Sequence, residues 1–369
     1  MREYDLVIVG GGLAGCAAAI TLMRSVPQAR VLVLERGFYP RHKVCGEFVS
    51  PEGCAALDKL LEADEVSLLV NQAPPIVQAN IHVDGRTLSA PVRPPAASIT
   101  RFDLDSALWK QAEKLGAECC EKCPVLKVQG DGPFEITIER ANIHSAALIN
   151  AAGRWSIFNR TKTRDRNGCH NIKWIGLKAH FAEATSSRSG VIDLYLFNGG
   201  YCGVQPVGLE RVNACAMVRA EAATTLGEVF MLHPELYRDS QDWIPVMETV
   251  TTSPLYFRKP APIEGKIINA GDAAGFIDPF VGDGMTLALH SGILAAQALT
   301  GFLKKEFNLR MAVEIYSHEY NARLLPAFQR ARWLRKMISL PGVVRMPLAR
   351  LIQMTGTTES LLKATRIAV

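Results

Sequence analysis

The chain has 369 residues, of which 48% are hydrophobic and 21% charged, with a formal net charge of +5 at pH 7. This composition is typical of a soluble globular protein with two intertwined domains, and the charge is too mild to indicate a nucleic-acid partner. No apolar stretch approaches the roughly 20 residues that span a bilayer, so we expect no transmembrane segment.

The N-terminus and the cysteines bear on location. The first apolar run begins within a few residues of Met1, which leaves no room for a signal peptide, and we expect a cytoplasmic protein. The nine cysteines are scattered and odd in number, which fits a reducing compartment. Cys120 and Cys123 have C-x-x-C spacing without a second pair, so we interpret them as reduced thiols and predict no metal site.

The first stretch of the chain predicts a dinucleotide-binding turn. Residues 6–9 are an apolar run typical of a strand buried on both faces, and the Ala-rich segment 16–23 is typical of a helix packed on a sheet. Between them lies the pattern G-x-G-x-x-G. Gly10 permits the tight turn, Gly12 lets a pyrophosphate approach the backbone, and Gly15 lets helix and strand pack closely.

The helix start and the next strand complete this pattern. Free backbone N–H groups at Leu13 and Ala14 are expected to bind the phosphates of the cofactor. Residues 31–34 predict a second strand, and Glu35 at its end has the position of an acid that accepts hydrogen bonds from an adenosine ribose. Arg36 follows, where its side chain can reach the adenosine end.

Residues 37–50 are expected to form a loop over the bound cofactor. Arg41, His42 and Lys43 place positive charge near the phosphates, or else form a solvated basic loop. Residues 40–47 read Pro-Arg-His-Lys-Val-Cys-Gly-Glu. This segment resembles the corresponding loop of geranylgeranyl reductase-like FAD-dependent flavoproteins, and of related monooxygenases and halogenases. The resemblance implies an FAD-binding fold of the glutathione reductase type, in its hydroxylase branch.

The resemblance assigns roles to several side chains. Cys45 and Gly46 would face the isoalloxazine ring of FAD and the substrate. Cys45 can be a thiol donor, a protonation partner or a small packing residue. Arg101 and Asp105, at the start of a helix predicted to end near residue 115, resemble the R-x-x-x-D motif in which the Arg contacts the cofactor. The alternative is an i,i+4 ion pair on a surface helix.

A β-hairpin is predicted to interrupt the dinucleotide fold. Residues 79–83 and 87–92 flank the turn Asp84-Gly85, and Pro91, Pro94 and Pro95 are expected to end the second strand. We expect this hairpin to belong to a substrate sheet or lid.

Three further strands are predicted at residues 125–128, 134–138 and 147–150. By resemblance, Val125 at the start of the first lies against the adenine. The turn after the last reads Ala152-Gly153, whereas hydroxylases of this class carry Asp-Gly. This departure argues against a nicotinamide-contacting role for the turn.

Regularly spaced strands then predict the antiparallel floor of a substrate domain, at residues 174–181, 191–197, 201–206 and 212–218. Geranylgeranyl reductases carry Y-x-W-x-F-P near this point, and halogenases W-x-W-x-I-P. This chain keeps Tyr201 and Pro206 but has Gly203 in place of the Trp. The departure argues against halogenation and weakens the case for prenyl reduction, but Tyr201 remains a candidate residue of the substrate site.

A second FAD motif follows the substrate strands. Residues 266–270 predict a strand that runs into Gly271 and Asp272. By resemblance, Asp272 accepts hydrogen bonds from the ribityl chain of FAD. An apolar helix is predicted over 286–299, with its N-terminus at the flavin pyrimidine edge. The positions at this helix start that would contact the cofactor are Gly282, Gly284 and Met285.

The C-terminal part, from Glu314 on, is predicted to be helical and basic, with Arg323, Arg330, Arg332, Arg335 and Lys336. Residues 337–352 are apolar, with interspersed Arg345 and Arg350. This part can form a lid over an apolar cavity, an interfacial helix that contacts a membrane peripherally, or a plain capping helix.

Together these features predict an α/β (α+β) protein. A Rossmann-like FAD-binding domain is interleaved with an antiparallel-sheet substrate domain and followed by a helical C-terminus. The expected boundaries are residues 1–75, 97–160 and 260–305 for the FAD-binding domain, 76–96 and 161–259 for the substrate domain, and 306–369 for the C-terminal helices.

The expected activity is that of an FAD-dependent oxidoreductase. One hypothesis is a geranylgeranyl reductase-like transfer of hydride from reduced FAD to an alkene of a lipophilic small molecule. The other is a flavin-dependent monooxygenase of an aromatic or polyketide-like substrate, and a non-catalytic FAD-binding protein is the third interpretation. No second G-x-G-x-x-G is present, so reduced nicotinamide would bind transiently or a partner flavin reductase would deliver electrons.

Overall fold

The computed structural model describes residues 2–155, 173–182, 189–208 and 210–338. Strands in chain order are β1 (Arg2–Val9), β2 (Val31–Leu34), β3 (Phe48–Val49), β4 (Pro75–Val83), β5 (Arg86–Ser98), β6 (Glu118–Cys120), β7 (Val125–Gly130), β8 (Phe134–Ile138), β9 (Ala141–Asn150), β10 (Trp174–Ala182), β11 (Val191–Phe197), β12 (Gly200–Pro206), β13 (Arg211–Arg219), β14 (Ile244–Pro245), β15 (Val250–Leu255), β16 (Ile263–Glu264) and β17 (Ile267–Asn269). Helices are α1 (Leu13–Ser25), α2 (Pro51–Leu60), α3 (Ala63–Val66), α4 (Arg101–Lys114), α5 (Leu226–Met231), α6 (Pro234–Asp239), α7 (Gly284–Leu303), α8 (Leu309–Arg323) and α9 (Leu325–Ile338).

The first sheet holds the dinucleotide turn. Its strands run in the order β16-β17-β9-β1-β2-β6, with β7 and β8 added at β9. The pairs that β1 makes with β2 and β9 are parallel, and Leu6 lies opposite Val31 on one side and Ala147 on the other. Residues 6–9 and 31–34 are buried throughout, as their unbroken apolar runs predict.

Helix α7 is the long apolar helix of the first domain. It has 20 residues and a mean hydropathy of 1.3, so it is long and apolar enough to cross a membrane by length and composition. This differs from the expectation that no stretch approaches that length. However, 61% of the most apolar 18-residue stretch of this helix is buried inside the protein. Gly292 of α7 approaches Ala14 so closely that a Cβ there would lie 2.1 Å from the Ala14 carbonyl oxygen, so close packing on α1 accounts for its composition.

The second sheet forms the other domain, in the order β14-β10-β13-β12-β11-β4-β5-β3, with β15 paired to β10. Its pairs are antiparallel except for β4 with β11. One face builds a core with α5 and α6, and alternate residues of β10, such as Leu177 and Phe181, point into it. The opposite face of this sheet carries the residues of the candidate site.

Two details differ from the sequence prediction. Strand β5 continues through Pro91, Pro94 and Pro95 to Ser98. Pro91 pairs with Gln78, and the other two prolines lie where the β4–β5 register is irregular and the ladder needs no N–H donor. Strand β3, within the segment expected to belong wholly to the FAD-binding domain, pairs with β5 of the second sheet. The mixed α/β fold class, with two sheets and a helical C-terminus, is confirmed.

The C-terminal helices α8 and α9 follow α7. Helix α8 packs on the first sheet, where the Tyr316 hydroxyl donates a hydrogen bond to the carbonyl oxygen of Asn269 over 2.7 Å. Arg345, Arg350 and most of the apolar segment 337–352 lie outside the described residues.

Candidate functional site

The glycines of the dinucleotide turn are of two kinds: some are closely packed, and one borders open space. A Cβ on Gly10 would lie 2.3 Å from the Ala151 carbonyl oxygen, and one on Gly15 would lie 1.9 Å from the Gly10 carbonyl oxygen. Both positions therefore require glycine for packing, and Gly10 also has a φ of +106°. A Cβ on Gly12 would meet only the ends of Lys43 and Asp105, at 3.8 and 3.9 Å. Gly12 thus borders open space.

This open space has the charge and donors that a pyrophosphate requires. Gly12 is the N-cap of α1, with no side-chain cap and no acidic residue in the first turn of the helix. Lys43 lies beside it and binds the buried Asp105 at 2.6 Å, and Arg101 binds the same carboxylate. Burial tends to raise the pKa of Asp105, but Arg101 and Lys43 outweigh it and lower that pKa to about 2. Two cations thus share one anion here, which leaves a net positive charge for a diphosphate.

Glu35 joins the glycine turn to the following loop. Its carboxylate accepts hydrogen bonds from the backbone N–H of Gly11 at 3.0 Å and of Gly37 at 2.8 Å, and it pairs with Arg41 at 2.7 Å. Arg41 therefore lies at the ribose end rather than near the phosphates. Arg36 is exposed.

The C-x-x-C segment supports the same loop from the other side. The backbone N–H of Cys123 donates to the Glu35 carbonyl oxygen over 2.8 Å, and Glu121 accepts from the backbone N–H of Tyr39 over 2.7 Å. Val125, the predicted adenine contact, begins β7 two residues after Cys123.

The second FAD motif lies against the first. Gly271 has a φ of +60°, and a Cβ there would lie 3.0 Å from Cβ of Ala14 in the dinucleotide turn. Asp272 follows and pairs with Arg154 at 3.5 Å. A later turn contains Gly282 in a left-handed conformation, and α7 then begins at Gly284. Open space borders Gly284, whose nearest neighbour to an added Cβ is 3.8 Å away, whereas the next residue, Met285, is buried.

Residues 40–47, called the Cys45 loop from here on, are fixed to the second sheet. Asn213 of β13 donates through Nδ2 to the carbonyl oxygens of Cys45 at 3.1 Å and Gly46 at 2.9 Å. Gly46 is exposed, and nothing lies within 4 Å of a Cβ built on it. Burial raises the pKa of the Cys45 thiol, so the thiol is protonated at neutral pH. The loop thus holds a neutral thiol beside an open backbone position.

Tyr201 lies on the same face of this sheet as Cys215. Gly203 of β12 pairs with Cys215, and Tyr201 is two residues before Gly203, so both β12 residues face the same side. Cys215 is half-buried, and burial raises the pKa of its thiol. The Tyr201 hydroxyl donates to Asp278 at 3.4 Å, and its ring meets Phe280 edge-on at 5.4 Å. The apolar residues packed around Tyr201 are Ile81, Val83, Leu88, Leu194, Leu196 and Phe280.

Helix α9 contacts this region. Arg335 binds Asp278 at 3.3 Å and lies over the rings of Phe257 at 3.5 Å and Trp174 at 5.1 Å. Burial raises the pKa of Asp278, which Arg335 partly offsets. The inward side of α9 therefore lies beside Tyr201 rather than in solvent.

A set of polar residues behind the Cys45 loop was not predicted from the sequence. Glu47 accepts hydrogen bonds from Lys178 Nζ at 2.5 Å, His180 Nε2 at 2.7 Å and the Arg101 backbone N–H at 2.9 Å. His42, predicted near the phosphates, instead packs edge-on against His180 with ring centroids 5.3 Å apart. The signal available in the sequence was the alternation of Gly176, Lys178 and His180 with apolar residues in β10.

Comparison with known proteins agrees with this geometry. The profile of the FAD binding domain family matches residues 5–45. The menaquinone reductase of Mycolicibacterium smegmatis is 24% identical over 374 residues, which cover 95% of this chain and 87% of that protein.

Among solved structures, a geranylgeranyl bacteriochlorophyll reductase-like protein of Thermoplasma acidophilum has a TM-score of 0.77 at 22% identity, covering 99% of this chain and 96% of that one. A myxobacterial FAD-dependent halogenase has a TM-score of 0.72 at 21% identity, covering 87% and 80%.

The open backbone at Gly12, the uncapped start of α1 and the surrounding cations fit FAD, so fold and site define a flavoprotein. The chain is an FAD-dependent oxidoreductase. The expectations of an FAD-binding enzyme and of FAD as its cofactor are thereby confirmed, and its relatives fit the expectation of a small-molecule substrate.

Proposed function

We propose that this protein is a reductase that transfers hydride from reduced FAD to an alkene in a lipophilic, isoprenoid-containing substrate. One observation carries the proposal. The protonated thiol of Cys45 stands beside the open backbone of Gly46, on the sheet face that also carries the apolar residues around Tyr201. The apolar side chains packed near Tyr201 suit contact with a lipophilic chain.

The residues have distinct tasks in this proposal. Gly12, Lys43 and Arg101 hold the diphosphate of FAD, and Asp272 holds its ribityl chain. Bound FAD, once reduced, supplies hydride to the substrate. Cys45 supplies the proton that the second alkene carbon needs. Reduced nicotinamide, bound transiently, or a partner flavin reductase provides the electrons.

Menaquinone is the probe of choice, because relatives named menaquinone reductase match most of the chain and menaquinone carries an isoprenoid tail. The FAD-loaded protein is reduced without oxygen, mixed with menaquinone in detergent, and the extract is exposed to air before mass spectrometry. We expect a product with two additional hydrogen atoms that survives air, as a saturated C–C bond does. A product that returns to the starting mass is a quinol and contradicts alkene reduction.

A second candidate is a flavin-dependent monooxygenase or halogenase. The overall likeness to halogenases favours it, as these proteins are among the relatives by sequence and by structure. The absence of the W-x-W-x-I-P pattern at Tyr201 argues against halogenation. Oxygen consumption by the reduced protein, compared with and without a phenolic substrate and halide, separates the two. Substrate-dependent oxygen uptake with a hydroxylated or halogenated product favours the monooxygenase.

We also propose that α9 lets the protein approach a membrane from which it takes its substrate. Arg332 and Lys336 are exposed on this helix, and Trp333 is 53% exposed between them. Basic residues beside an exposed Trp suit an anionic lipid surface. Sedimentation with vesicles rich in anionic lipid should capture the protein, and Trp333→Ala should weaken capture. Equal recovery with neutral vesicles would contradict the charge-based contact.

A further inference from the structure

A buried charged group lies behind the Cys45 loop. Glu47 and Lys178 have fully buried side chains and His180 is 7% exposed. Lys178 and His180 project from β10 towards the loop, whereas their neighbours in β10 point into the apolar core on the other face. Each of the two residues binds a different oxygen of the Glu47 carboxylate.

Packing alone does not account for this arrangement. Removing charges from water costs several kcal/mol for each ion, and apolar replacements of similar volume are often as stable. Glu47 also has a φ of +61°, a conformation that non-glycine residues rarely adopt. It does accept a hydrogen bond from the first residue of α4, but a side chain at the N-cap position, Thr100, already caps that helix. A helix cap therefore explains neither Lys178 nor His180.

His42 connects the buried group to the surface. His42 is partly exposed. It contributes one polar atom to a group of three, the other two from Glu47 and His180, and these atoms all lie within 4.8 Å of one another. Burial, together with the charges of Lys178 and His180, lowers the pKa of His42, so its ring is neutral at physiological pH.

On the inner side the group adjoins the thiol. The backbone N–H of Glu47 donates to Cys45 Sγ at 3.3 Å. Burial raises the pKa of Cys45, while Arg101 and Lys178 act to lower it. These cations therefore stabilise a thiolate that has just given up its proton.

The same three atoms could ligate a cation, but the neighbouring charge opposes it. Lys178 lies 2.5 Å from Glu47, and its ammonium would stand close to any bound metal ion. The hydrogen bond between His180 and Glu47 would also have to break. A group that exchanges protons fits this arrangement better than one that binds a metal.

We propose that Glu47, Lys178 and His180 form a proton-transfer group that conducts protons from solvent at His42 to the thiol of Cys45. The proposal rests on the proposed hydride transfer. One alkene carbon accepts hydride, and the electron pair of the double bond takes the Cys45 proton at the other carbon. The thiolate takes a proton from the group, which is reloaded through His42. The sum is one hydride and one solvent proton added to one double bond.

Other titratable groups face this site from each neighbouring element and enter its charge balance. They are Cys45 in the same loop, Arg101 and Asp103 on α4, and Cys215 on β13.

The test measures protons without substrate. The FAD-loaded protein is photoreduced anaerobically in weak buffer, and a pH-indicator dye reports protons taken up per flavin. Reduction adds negative charge near Cys45, so wild type should take up more protons than free FAD does. Glu47→Gln and His180→Gln, which keep the shape and a hydrogen-bonding amide, should fall to the free-FAD value. His42→Ala should keep the wild-type number but take up protons on the order of tenfold more slowly, with recovery in imidazole.

His233→Gln is the matched control, since His233 is also buried but lies beside α6, against Tyr195 on the opposite face of the sheet. It should behave as wild type. Equal proton uptake in wild type, Glu47→Gln and His180→Gln overturns the proposal, and a folding failure of one variant leaves the other to decide. Altered uptake with no reduction of menaquinone would refute the proposed function alone. Alkene reduction with unchanged uptake would refute only the proton route.

Discussion

Replacing Gly12 by Ala tests where the diphosphate of FAD lies. A Cβ at Gly12 meets Lys43 and Asp105 at 3.8 and 3.9 Å, which are ordinary contacts, and the backbone there is extended. An N-cap change from Gly to Ala should alter the stability of the FAD-free protein by no more than about 1 kcal/mol. The methyl group nevertheless fills the space over the first turn of α1. Losing one charge-assisted hydrogen bond costs about 1.5–3 kcal/mol, so the dissociation constant of FAD should rise roughly ten- to hundredfold.

The assay combines thermal unfolding of the FAD-free protein with titration of FAD by flavin fluorescence. Gly15→Ala is the control, because its Cβ would lie 1.9 Å from a backbone oxygen and should destabilise the protein itself. The two variants should therefore differ. Gly12→Ala should keep its thermal stability but bind FAD weakly, whereas Gly15→Ala should lose thermal stability. If Gly12→Ala binds FAD as tightly as wild type, the diphosphate does not pass over this residue.

Three other outcomes are expected. Asp272→Ala should weaken FAD binding by about 1.5–3 kcal/mol in a folded protein, measured by the same titration, and an unchanged dissociation constant would contradict the ribityl contact. Burial acts to lower the pKa of His82, but Asp193 and Glu235 outweigh it and raise that pKa. Its stabilisation is therefore complete below about pH 6.5 and lost as pH rises through the folded pKa, so urea unfolding at several pH values should show a loss in wild type that His82→Gln lacks. Cys45→Ala should lower the yield of saturated menaquinone while FAD occupancy stays near wild type, whereas Cys202→Ala on the opposite sheet face should not; equal yields would make Cys45 a packing residue.

The parts of the fold that depend on local sequence could be predicted. Apolar runs of β1 and β2 around the glycine turn indicate buried parallel strands, and the regular spacing of β10 to β13 indicates an antiparallel sheet. The continuation of β5 through Pro94 and Pro95 could not be predicted, because tolerance of these prolines depends on an irregular register with β4. Pairing of β3 with the second sheet likewise depends on contacts distant in sequence.

Some residues of the candidate site could likewise be predicted from local sequence, and others depend on tertiary contacts. Gly12, Glu35 and Asp272 belong to motifs whose spacing carries the prediction. Lys178 and His180 alternate with apolar residues, and such a pattern ordinarily indicates a solvent-facing side of a strand. Only the tertiary structure, which lays the Cys45 loop over that side and hydrogen-bonds it to Asn213, makes the polar side an interior one.

The two faces of the second sheet therefore differ in the kind of interactions that they bury. The face beneath α5 and α6 is a core of ordinary apolar packing, with Phe181, Phe230 and Trp243 in mutual ring contact, and it supplies stability. The other face buries the salt bridge between Glu47 and Lys178, which an apolar pair would replace with little loss of stability. In the proposed reaction the substrate accepts a hydride and also needs a proton, and the buried charged pair adjoins Cys45, the proposed proton donor. In this proposal the second sheet is both the scaffold of the substrate domain and the support for the proton supply.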